Sequence, residues 1–346
     1  MKKTPQNAVL VNLRLDPFYK KFRAVIKRDS FILEGDSVLA GVSGGVDSMV
    51  LADLLVRLRE DISFKLNLAH VNYRMRGEES DAQEKLVRDF AKRHSLDCFV
   101  THADLKKTGE NFQQAARDFR YDYFAEAAAQ AKANKVAVAH HREDQVETIL
   151  AQLLRGASLR GLGGMRGVRG LRTTDPSTGL RAGYGPRTGD KDRQVRSPLS
   201  TVHGPILIRP LLAFSKEALH GYAREHNIPY LEDSSNASPK YWRNRIRMEL
   251  LPLLEDLRPQ ALEKLIRFGE EAGEVAQFLE VMGREWLQSY AKKEDGGYWL
   301  PRPRLAALPK VLRMEIIAQA YAGLTETLNH LQNDHLSHCD SLTVGE

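Results

Sequence analysis

Cysteine and long apolar runs are both scarce in this chain of 346 residues. The two cysteines, Cys98 and Cys339, are too few for a disulfide framework or an iron–sulfur cluster. Because the sequence has no run of about 18 apolar residues, no membrane-spanning helix is expected. The first 18 residues contain two lysines but no sustained apolar core, so no signal peptide is expected and a cytoplasmic location is predicted.

Basic residues outnumber acidic ones, and most of the excess positive charge lies in one segment. The net charge is +6, with a pI of about 9.2, in a chain that is 42% hydrophobic and 28% charged. Residues 166–196 hold eight basic and three acidic residues, so this Gly-rich segment alone carries +5. The composition is that of a globular protein, and the length predicts two or three domains. The basic segment suits an anionic partner such as RNA, although a solvated loop would have the same composition.

The stretch at residues 38–48 combines a short apolar run with a glycine turn. Residues 38–42 predict a buried strand, Ser43-Gly44-Gly45 a turn, and the residues from Met49 onward a helix. A strand, a glycine turn and a helix N-terminus together direct free backbone N–H groups at one point, which suits an anion such as phosphate. The glycine turn does not end in Gly-Lys-Ser/Thr, so a Walker A loop is not predicted. It does not contain GxGxxG either, so a dinucleotide-binding fingerprint is not predicted. A tight strand–helix turn without a ligand remains an alternative.

The elements that follow alternate between strands and helices. Strands are predicted at 64–73, 97–102 and 135–139, and helices at 16–31, 78–94, 111–131 and 143–154. This alternation indicates βαβ units and a parallel sheet. Residues 156–205 show no apolar periodicity, Ser215 is predicted to cap a helix that ends near His226, and helices are predicted again from 244 to about 293.

The predicted fold class is therefore α/β: a Rossmann-like domain with a parallel sheet, followed by a smaller, mainly helical domain. The predicted domains are a helical lead-in at 1–30, the sheet domain at 31–220 with its basic insert at 166–196, and a mainly helical substrate-binding region at 221–346. Ligands of such sheets bind beyond the carboxyl ends of the strands. The glycine turn, residues 70–72 and residues 140–141 all follow strands, so they are expected at that edge.

The string SGGVDS resembles the PP-loop of the N-type ATP pyrophosphatases, which split ATP between the α and β phosphates. The resemblance implies that the loop binds ATP, that Asp47 binds Mg²⁺, and that the pyrophosphate contacts come from Ser43, Gly44, Gly45, Asp47 and Ser48. It also brings the flanking Ala40 and Val46 into the ATP site. A carboxylate beside a polyphosphate is consistent with this, since Mg²⁺ is usually held by one or two carboxylates together with phosphate oxygens.

Further strings, in this order, resemble the tRNA(Ile)-lysidine synthetase family. They are HVNYRMR at 70–76, NFQQAARDFRY at 111–121, AHHREDQVET at 139–148 and EDSSNASPKYWRNRIR at 232–247. The resemblance covers about residues 35–255. It implies ligation of L-lysine to C2 of cytidine 34 in the CAU anticodon of tRNA(Ile), through an adenylated cytidine and with release of pyrophosphate and then AMP.

The same resemblance assigns roles to residues outside the loop. His70 and Asn72 are expected near the adenosine, and Arg117 is expected on a phosphate. The predicted catalytic residues are Asp47, Arg117, His140 and Asp144. A surface helix arginine is the alternative for Arg117.

His140, Asp144 and Glu147 are spaced four and three residues apart, so the sequence predicts that they share one face of a helix beginning there. Their spacing alone is equally consistent with a solvated capping cluster. Their place at the end of a strand, within a family string, favours contact with ATP, metal or lysine. A zinc site is not expected, because no cysteine is near.

The lysine or tRNA contacts implied by the resemblance lie mostly in the later strings. They are Asp144, Glu147, Arg209, Asp233, Asn236, Arg243, Asn244 and Arg247. Asp233 and Asn236 would also suit a simple turn. Arg243 and Arg247, four residues apart, would suit phosphate binding or a solvated helix start.

Two other functions remain open from the sequence. One is another PP-loop enzyme, either a tRNA 2-thiolating enzyme, which would need reactive cysteines, or an amide-forming synthetase. The other is a non-enzymatic nucleotide- or RNA-binding protein. The sequence predicts no membrane partner and leaves a homodimer open.

Overall fold

A computed structural model describes residues 16–75, 77–103, 112–170, 204–232, 242–294, 297–325 and 333–344. The chain forms two compact units. The first comprises residues 1–145 and 166–244, and the second comprises residues 146–165 and 245–346. The predicted domain boundary near residue 220 stays a prediction.

In the described part of the chain, eight strands form two sheets. Their bounds are β1 Ser37–Gly41, β2 Lys65–Asn72, β3 Cys98–His102, β4 Lys135–Ala137, β5 Val168–Gly170, β6 Ile206–Ile208, β7 Lys292–Glu294 and β8 Gly297–Trp299. The six-stranded sheet of the first unit has the order β3-β2-β1-β4-β6-β5. All its pairings are parallel except that of β5 with β6. The parallel α/β sheet predicted from the alternation of strands and helices is confirmed.

Thirteen α-helices lie within the described ranges. Their bounds are α1 Pro17–Arg28, α2 Val46–Leu58, α3 Glu78–Arg93, α4 Phe112–Gln130, α5 Arg142–Leu154, α6 Leu159–Leu162, α7 Lys216–Glu225, α8 Trp242–Arg245, α9 Leu251–Leu257, α10 Ala261–Tyr290, α11 Arg302–Ala306, α12 Lys310–Thr325 and α13 Asn333–Val344. A π-helical turn, Ile246–Leu250, joins α8 to α9. None of the helices in these ranges is long and apolar enough to cross a membrane.

Successive residues of the central strands point to opposite faces of the sheet, and both faces are buried. On one face, Val38 and Ala40 pack with side chains of α1, α2, α3 and α7. On the other face, Leu39 and Val136 pack with Phe124 and the alanines of α4. This double burial explains why the sequence at β1 is an unbroken apolar run and does not alternate with polar residues.

The edge strand β5 was not predicted. The sequence analysis found no apolar periodicity between residues 156 and 205, yet Val168–Gly170 pairs antiparallel with β6, with Val168 opposite Ile208. Three residues are too few to show a period of two, so the pairing depends on the tertiary position of β6. Residues 171–203, which include most of the basic insert, lie outside the described ranges.

The second unit is mainly helical, as predicted. The 30-residue helix α10 lies at its centre, and Gly163 after α6 approaches it so closely that a Cβ on Gly163 would lie 2.9 Å from the Cα of Gly273. Arg160 of α6 also pairs with Glu315 of α12 at 2.6 Å. The sequence analysis missed the β7–β8 hairpin, whose strands are three residues long.

Gly41, at the end of β1, is expected to be intolerant of a side chain. A Cβ there would lie 2.5 Å from Cζ of Phe124, whose ring is 4% exposed, so the ring or the strand would have to shift. We expect Gly41→Ala to lower the free energy of unfolding by about 1–3 kcal/mol, the usual cost of overpacking a core. The measurement is urea unfolding followed by circular dichroism.

The matched control is Gly221→Ala, within α7. Nothing lies within 4 Å of a Cβ at that position, and alanine is the better helix former, so this variant should be unchanged or more stable by up to about 1 kcal/mol. Equal stability of the Gly41 variant and the wild-type protein would contradict the close packing at the end of β1.

Candidate active site

The glycine turn joins β1 to α2 and is held by its own serines. Ser48 Oγ donates to the Gly45 carbonyl at 2.9 Å and accepts the Ser43 amide at 3.1 Å. Gly44 has a φ of +90°, a conformation that a side chain would strain, and its carbonyl accepts the Leu231 amide at 3.0 Å. The turn is therefore rigid before any ligand binds.

Helix α2 begins at this turn without a side-chain cap. Gly45 occupies the N-cap position, so no side chain competes for the first backbone N–H groups of the helix. These groups and the helix dipole face the cavity beside the turn and suit an anionic ligand. The anion site expected from the strand–turn–helix pattern therefore has the geometry that phosphate binding requires.

Asp47, in the first turn of α2, carries a carboxylate oxygen that has no hydrogen-bond partner among the described residues. Its Oδ1 is shielded from solvent and accepts no hydrogen bond from the described residues. Burial raises the pKa of Asp47, and the charge of Asp144 adds to this shift while His141 opposes it. A buried oxygen that the protein leaves unpaired is costly unless a ligand supplies its partner.

His141, which follows β4, is the closest cation to this carboxylate. Its Nε2 lies 3.8 Å from Asp47 and 3.5 Å from Asp144, and its Nδ1 lies 2.9 Å from Glu143. Burial opposes protonation of His141, but the nearby carboxylates of Glu143, Asp144 and Asp47 outweigh it and raise its pKa. The sequence analysis singled out His140 and not His141, although both follow the same strand.

His140 faces a different set of groups. Its Nδ1 accepts a hydrogen bond from Nε of Arg209 at 3.2 Å. Burial holds the pKa of His140 well below its ordinary value; Asp144 opposes this shift, and the cations Arg209, Arg120 and Arg117 add to it. Two adjacent histidines therefore have opposite electrostatic surroundings.

The predicted helix face of His140, Asp144 and Glu147 is not what the structure shows. Helix α5 begins at Arg142, so His140 lies before it, and Asp144 accepts the His141 amide at 3.0 Å at the helix start. Glu147 belongs to the second unit, where it is fully buried and pairs with Arg247 at 2.5 Å. The spacing argument was wrong about His140 because this residue lies in the loop after β4, two residues before the first residue of α5.

His70 and Asn72 lie near the end of β2, but their side chains differ in whether protein hydrogen bonds already use their polar atoms. Asn72 donates to Glu84 at 2.9 Å and accepts the Arg74 amide at 2.9 Å, so protein groups already use it. His70 Nδ1 lies 2.8 Å from the Val42 carbonyl, and its buried Nε2 has no hydrogen-bond partner in the described part of the chain. Of the two, His70 has the free polar atom.

A cavity of about 790 Å³ in the first unit lies beside the glycine turn and the loop after β4. Its lining includes the predicted residues Ser43, Gly45, Val46, Asp47, Ser48 and His140. Sequence reasoning missed Gln83, Arg120, Lys216, His220 and Tyr230, which also line it. Lys216 is the first residue of α7, and Ser215 caps this helix as predicted, with the Ala218 amide 3.3 Å from its Oγ. The predicted cap was the signal that could have directed attention to Lys216.

The remaining predicted residues lie elsewhere or are not described. Arg117 sits over the Tyr121 ring at 5.2 Å, and it is Arg120 that lines the cavity. Arg243 and Asn244 are half-buried at the end of the first unit. Ala40 is fully buried in the core, and Asp233 and Asn236 lie outside the described residues.

The donor set is compatible with Mg²⁺ held jointly by protein and substrate. Within the described ranges, no group of three or more His, Cys, Asp or Glu side chains could hold a metal ion alone. Mg²⁺ commonly needs only one or two carboxylates beside phosphate oxygens, and the unpaired Oδ1 of Asp47 is such an oxygen. Asp47 therefore fits the role, provided that a polyphosphate supplies the other ligands.

Comparison with known proteins identifies the family. The PP-loop domain family model matches residues 15–254. A tRNA(Ile)-lysidine synthase of Chlorobaculum tepidum is 31% identical over 306 residues, which cover 87% of this chain and 82% of that protein. The chain belongs to the tRNA(Ile)-lysidine synthase family. The family expected from the sequence strings is thereby confirmed.

Other members of the family are longer. The tRNA(Ile)-lysidine synthases of Geobacillus kaustophilus and Geobacter sulfurreducens are each 31% identical over 91% and 96% of this chain. The chain spans only 63% and 64% of their lengths. Among solved structures, the U34-tRNA thiolase NcsA from Methanococcus maripaludis, with its [4Fe-4S] cluster, matches with a TM-score of 0.55 and 18% identity, over 74% of this chain and 77% of that one. This likeness shows a shared fold.

Glu84, which holds Asn72 at the edge of the cavity, generates a pH-dependent prediction. Burial works against its ionisation, but hydrogen bonds from Asn72 and Arg88 outweigh this and lower the pKa of Glu84 from 4.5 to about 2. A depressed pKa contributes stability above the unfolded value and loses it as the pH falls towards the folded value. We therefore expect Glu84→Gln to be less stable than the wild-type protein at pH 7, with the difference shrinking between pH 4.5 and pH 2.

Urea unfolding at pH 7, 4 and 3 measures this difference. Glu126→Gln, at an exposed position on α4, is the control and should change the midpoint little at any of these pH values. A Glu84→Gln deficit that stays constant down to pH 3 would show that the ionised form of Glu84 is not what holds Asn72.

Proposed function

We propose that the chain catalyses ATP-dependent ligation of L-lysine to C2 of cytidine 34 in the CAU anticodon of tRNA(Ile). The observation that supports this most directly is the unpaired, buried Oδ1 of Asp47 beside an uncapped helix N-terminus. A carboxylate at a phosphate site is repulsive unless a cation accompanies the phosphate. The match to the PP-loop family supports ATP as one substrate, and the similarity to lysidine synthases supports lysine and tRNA(Ile) as the others.

The reaction has two steps. In the first, the C2 oxygen of cytidine bonds to the α-phosphorus of ATP while the bond from that phosphorus to the bridging oxygen breaks, and pyrophosphate leaves. In the second, the ε-nitrogen of lysine bonds to C2, the bond from C2 to the oxygen breaks, and AMP leaves with that oxygen. The nitrogen loses a proton in the process, so it must start as a neutral amine or give its proton to a base.

The first step requires stabilisation of negative charge on the departing pyrophosphate. The N–H groups at the start of α2, the hydroxyl of Ser43 and the ammonium of Lys216, which also lines the cavity, provide it. Ser48, whose hydroxyl donates to the Gly45 carbonyl, contributes by holding the turn. Mg²⁺, held by Asp47 and phosphate oxygens, would add charge neutralisation here. Asp47 thus serves to bind the metal–ATP complex at the loop.

The second step requires a site for the lysine amine. Asp144, whose carboxylate lies 3.5 Å from His141 Nε2, is the proposed partner of the ε-amine. Glu147, which is fully buried and pairs with Arg247 in the second unit, and Arg247 itself remain proposed contacts for lysine or tRNA. Asp233, Asn236, Arg243, Asn244 and the basic segment 166–196 remain proposed contacts for lysine or tRNA.

A 2-thiolating enzyme fits this chain less well. The solved thiolase carries a [4Fe-4S] cluster, whereas this chain has two cysteines. Cys98 is half-buried, and burial raises the pKa of its thiol, which makes it a weak nucleophile. The cytoplasmic location and a homodimer stay predictions.

A direct assay tests the reaction. Incubation of the protein with ATP, Mg²⁺, labelled lysine and a CAU-anticodon tRNA(Ile) transcript should release pyrophosphate and transfer label to the tRNA. A transcript with the cytidine 34 position changed to uridine is the control and should accept no lysine. Folded protein that releases no pyrophosphate and transfers no lysine would overturn the proposal, and pyrophosphate release without lysine transfer would favour another PP-loop enzyme.

Asp47→Asn tests the site itself. The amide keeps the shape of the side chain but removes the charge that would hold Mg²⁺, so we expect pyrophosphate release to fall by about 100-fold or more while tRNA binding stays close to the wild-type value. Pyrophosphate release and a filter-binding assay measure the two quantities.

Asp89→Asn, at an exposed carboxylate on α3, is the matched control and should retain wild-type pyrophosphate release. An equal loss of tRNA affinity and of pyrophosphate release in Asp47→Asn would show that Asp47 has a structural role and is not a metal ligand.

A further inference from the structure

Arg209, directly after β6, is a buried arginine that points at a histidine. Arg209 is only 2% exposed. Its Nη1 donates to the Arg166 carbonyl at 2.6 Å, and its own amide donates to the Gly167 carbonyl at 2.9 Å. The amide bond anchors the backbone at Arg209, the Nη1 bond orients the guanidinium, and Nε–H donates to Nδ1 of His140, 3.2 Å away.

This contact decides which nitrogen of His140 carries the proton. A guanidinium has only donors and does not lose its proton in proteins, so Nδ1 of His140 must be the acceptor. An acceptor nitrogen has no hydrogen, which leaves the single proton of the neutral ring on Nε2. A protonated ring would place two N–H groups against each other.

We propose that Arg209 is a positioning residue that keeps His140 neutral with its proton on Nε2, so that His140 serves the cavity as a hydrogen-bond donor and not as a base. The natural acceptor is an oxygen that gains negative charge, such as one on the α-phosphate of the nucleotide. This assignment rests on the proposed function for the identity of that oxygen. The protonation state itself follows from the contact with Arg209.

The other charged groups around His140 act on its protonation in both directions. Asp144, at the start of α5, favours protonation of the ring, whereas Arg120 and Arg117 of α4 and Arg209 itself oppose it. Burial also opposes it, and the net result is a pKa for His140 well below its ordinary value. The geometry and the surrounding charges therefore agree.

Nitrogen-15 NMR of histidine-labelled protein tests the proton position directly, with His140→Gln used to assign the signal. In the wild-type protein, Nε2 should give the shift of a protonated nitrogen and Nδ1 that of an unprotonated one, and neither should change between pH 8 and pH 5.5. A proton on Nδ1, or titration of His140 within that range, would overturn the proposal.

Substitution of the arginine tests its role. Arg209→Met keeps much of the apolar stem but removes the donor and its charge, so His140 should show both tautomers and its pKa should rise. Arg209→Lys restores a donor and should return the signal towards that of the wild-type protein. Arg57→Met removes another partly buried arginine of the same unit, which pairs with Asp53, and should leave the His140 signal unchanged. An unchanged signal in Arg209→Met would contradict the role of Arg209.

Kinetics distinguish a donor from a base. We expect pyrophosphate release to fall by about 10²–10³-fold in His140→Ala, as on loss of an oxyanion donor. His140→Gln, whose amide can donate but cannot take up a proton, should recover at least tenfold of that loss. Equal activity of the two variants would count against the donor role. The NMR measurement needs neither tRNA nor lysine, so it decides the proton position even if no lysine is transferred.

Discussion

The parallel pairing of β1 with β4 is the constraint on which the site depends. Ala40 lies opposite Ala137, so the two strands end at the same edge of the sheet. The chain leaves β1 towards β2 on one side and returns much later to β4 on the other, which opens a crevice between the two loops. The glycine turn and the His140-His141 pair face each other across this crevice. Without that register, the loops that carry Asp47 and His141 would not end at the same edge of the sheet.

Charge compensation is the second requirement of the site. The carboxylates of Asp47, which lines the cavity, and of Asp144 both lie within 4 Å of His141, beside a loop whose backbone N–H groups are donors. His141 offsets part of this negative charge, and Arg209 occupies the opposite side of the loop after β4. These carboxylates repel a negatively charged ligand unless cations bind together with it. A metal–nucleotide complex meets this condition.

Local pattern predicted the elements around the site well. The apolar run at β1, the cap at Ser215 and the amphipathic helices α3 and α4 each occur close to the predicted bounds. The errors occurred where the pattern is short or ambiguous. The three-residue strand β5 is too short to show a period of two. The spacing of His140, Asp144 and Glu147 does not reveal whether the helix starts at His140 or two residues later, at Arg142.

The sequence by itself determined the chemistry of the loop. SGGVDS after an apolar strand implies an anion site, because the glycines, the serines and the start of a helix act locally, within a few residues. Only the tertiary structure decided which distant side chains share the cavity. Arg120, Lys216 and His220 reach it from α4 and α7, and Glu147 is taken up by its pair with Arg247. The physical reason is that charge–charge and hydrogen-bond contacts depend on distance in space, which for these residues is set by how the helices pack on the sheet.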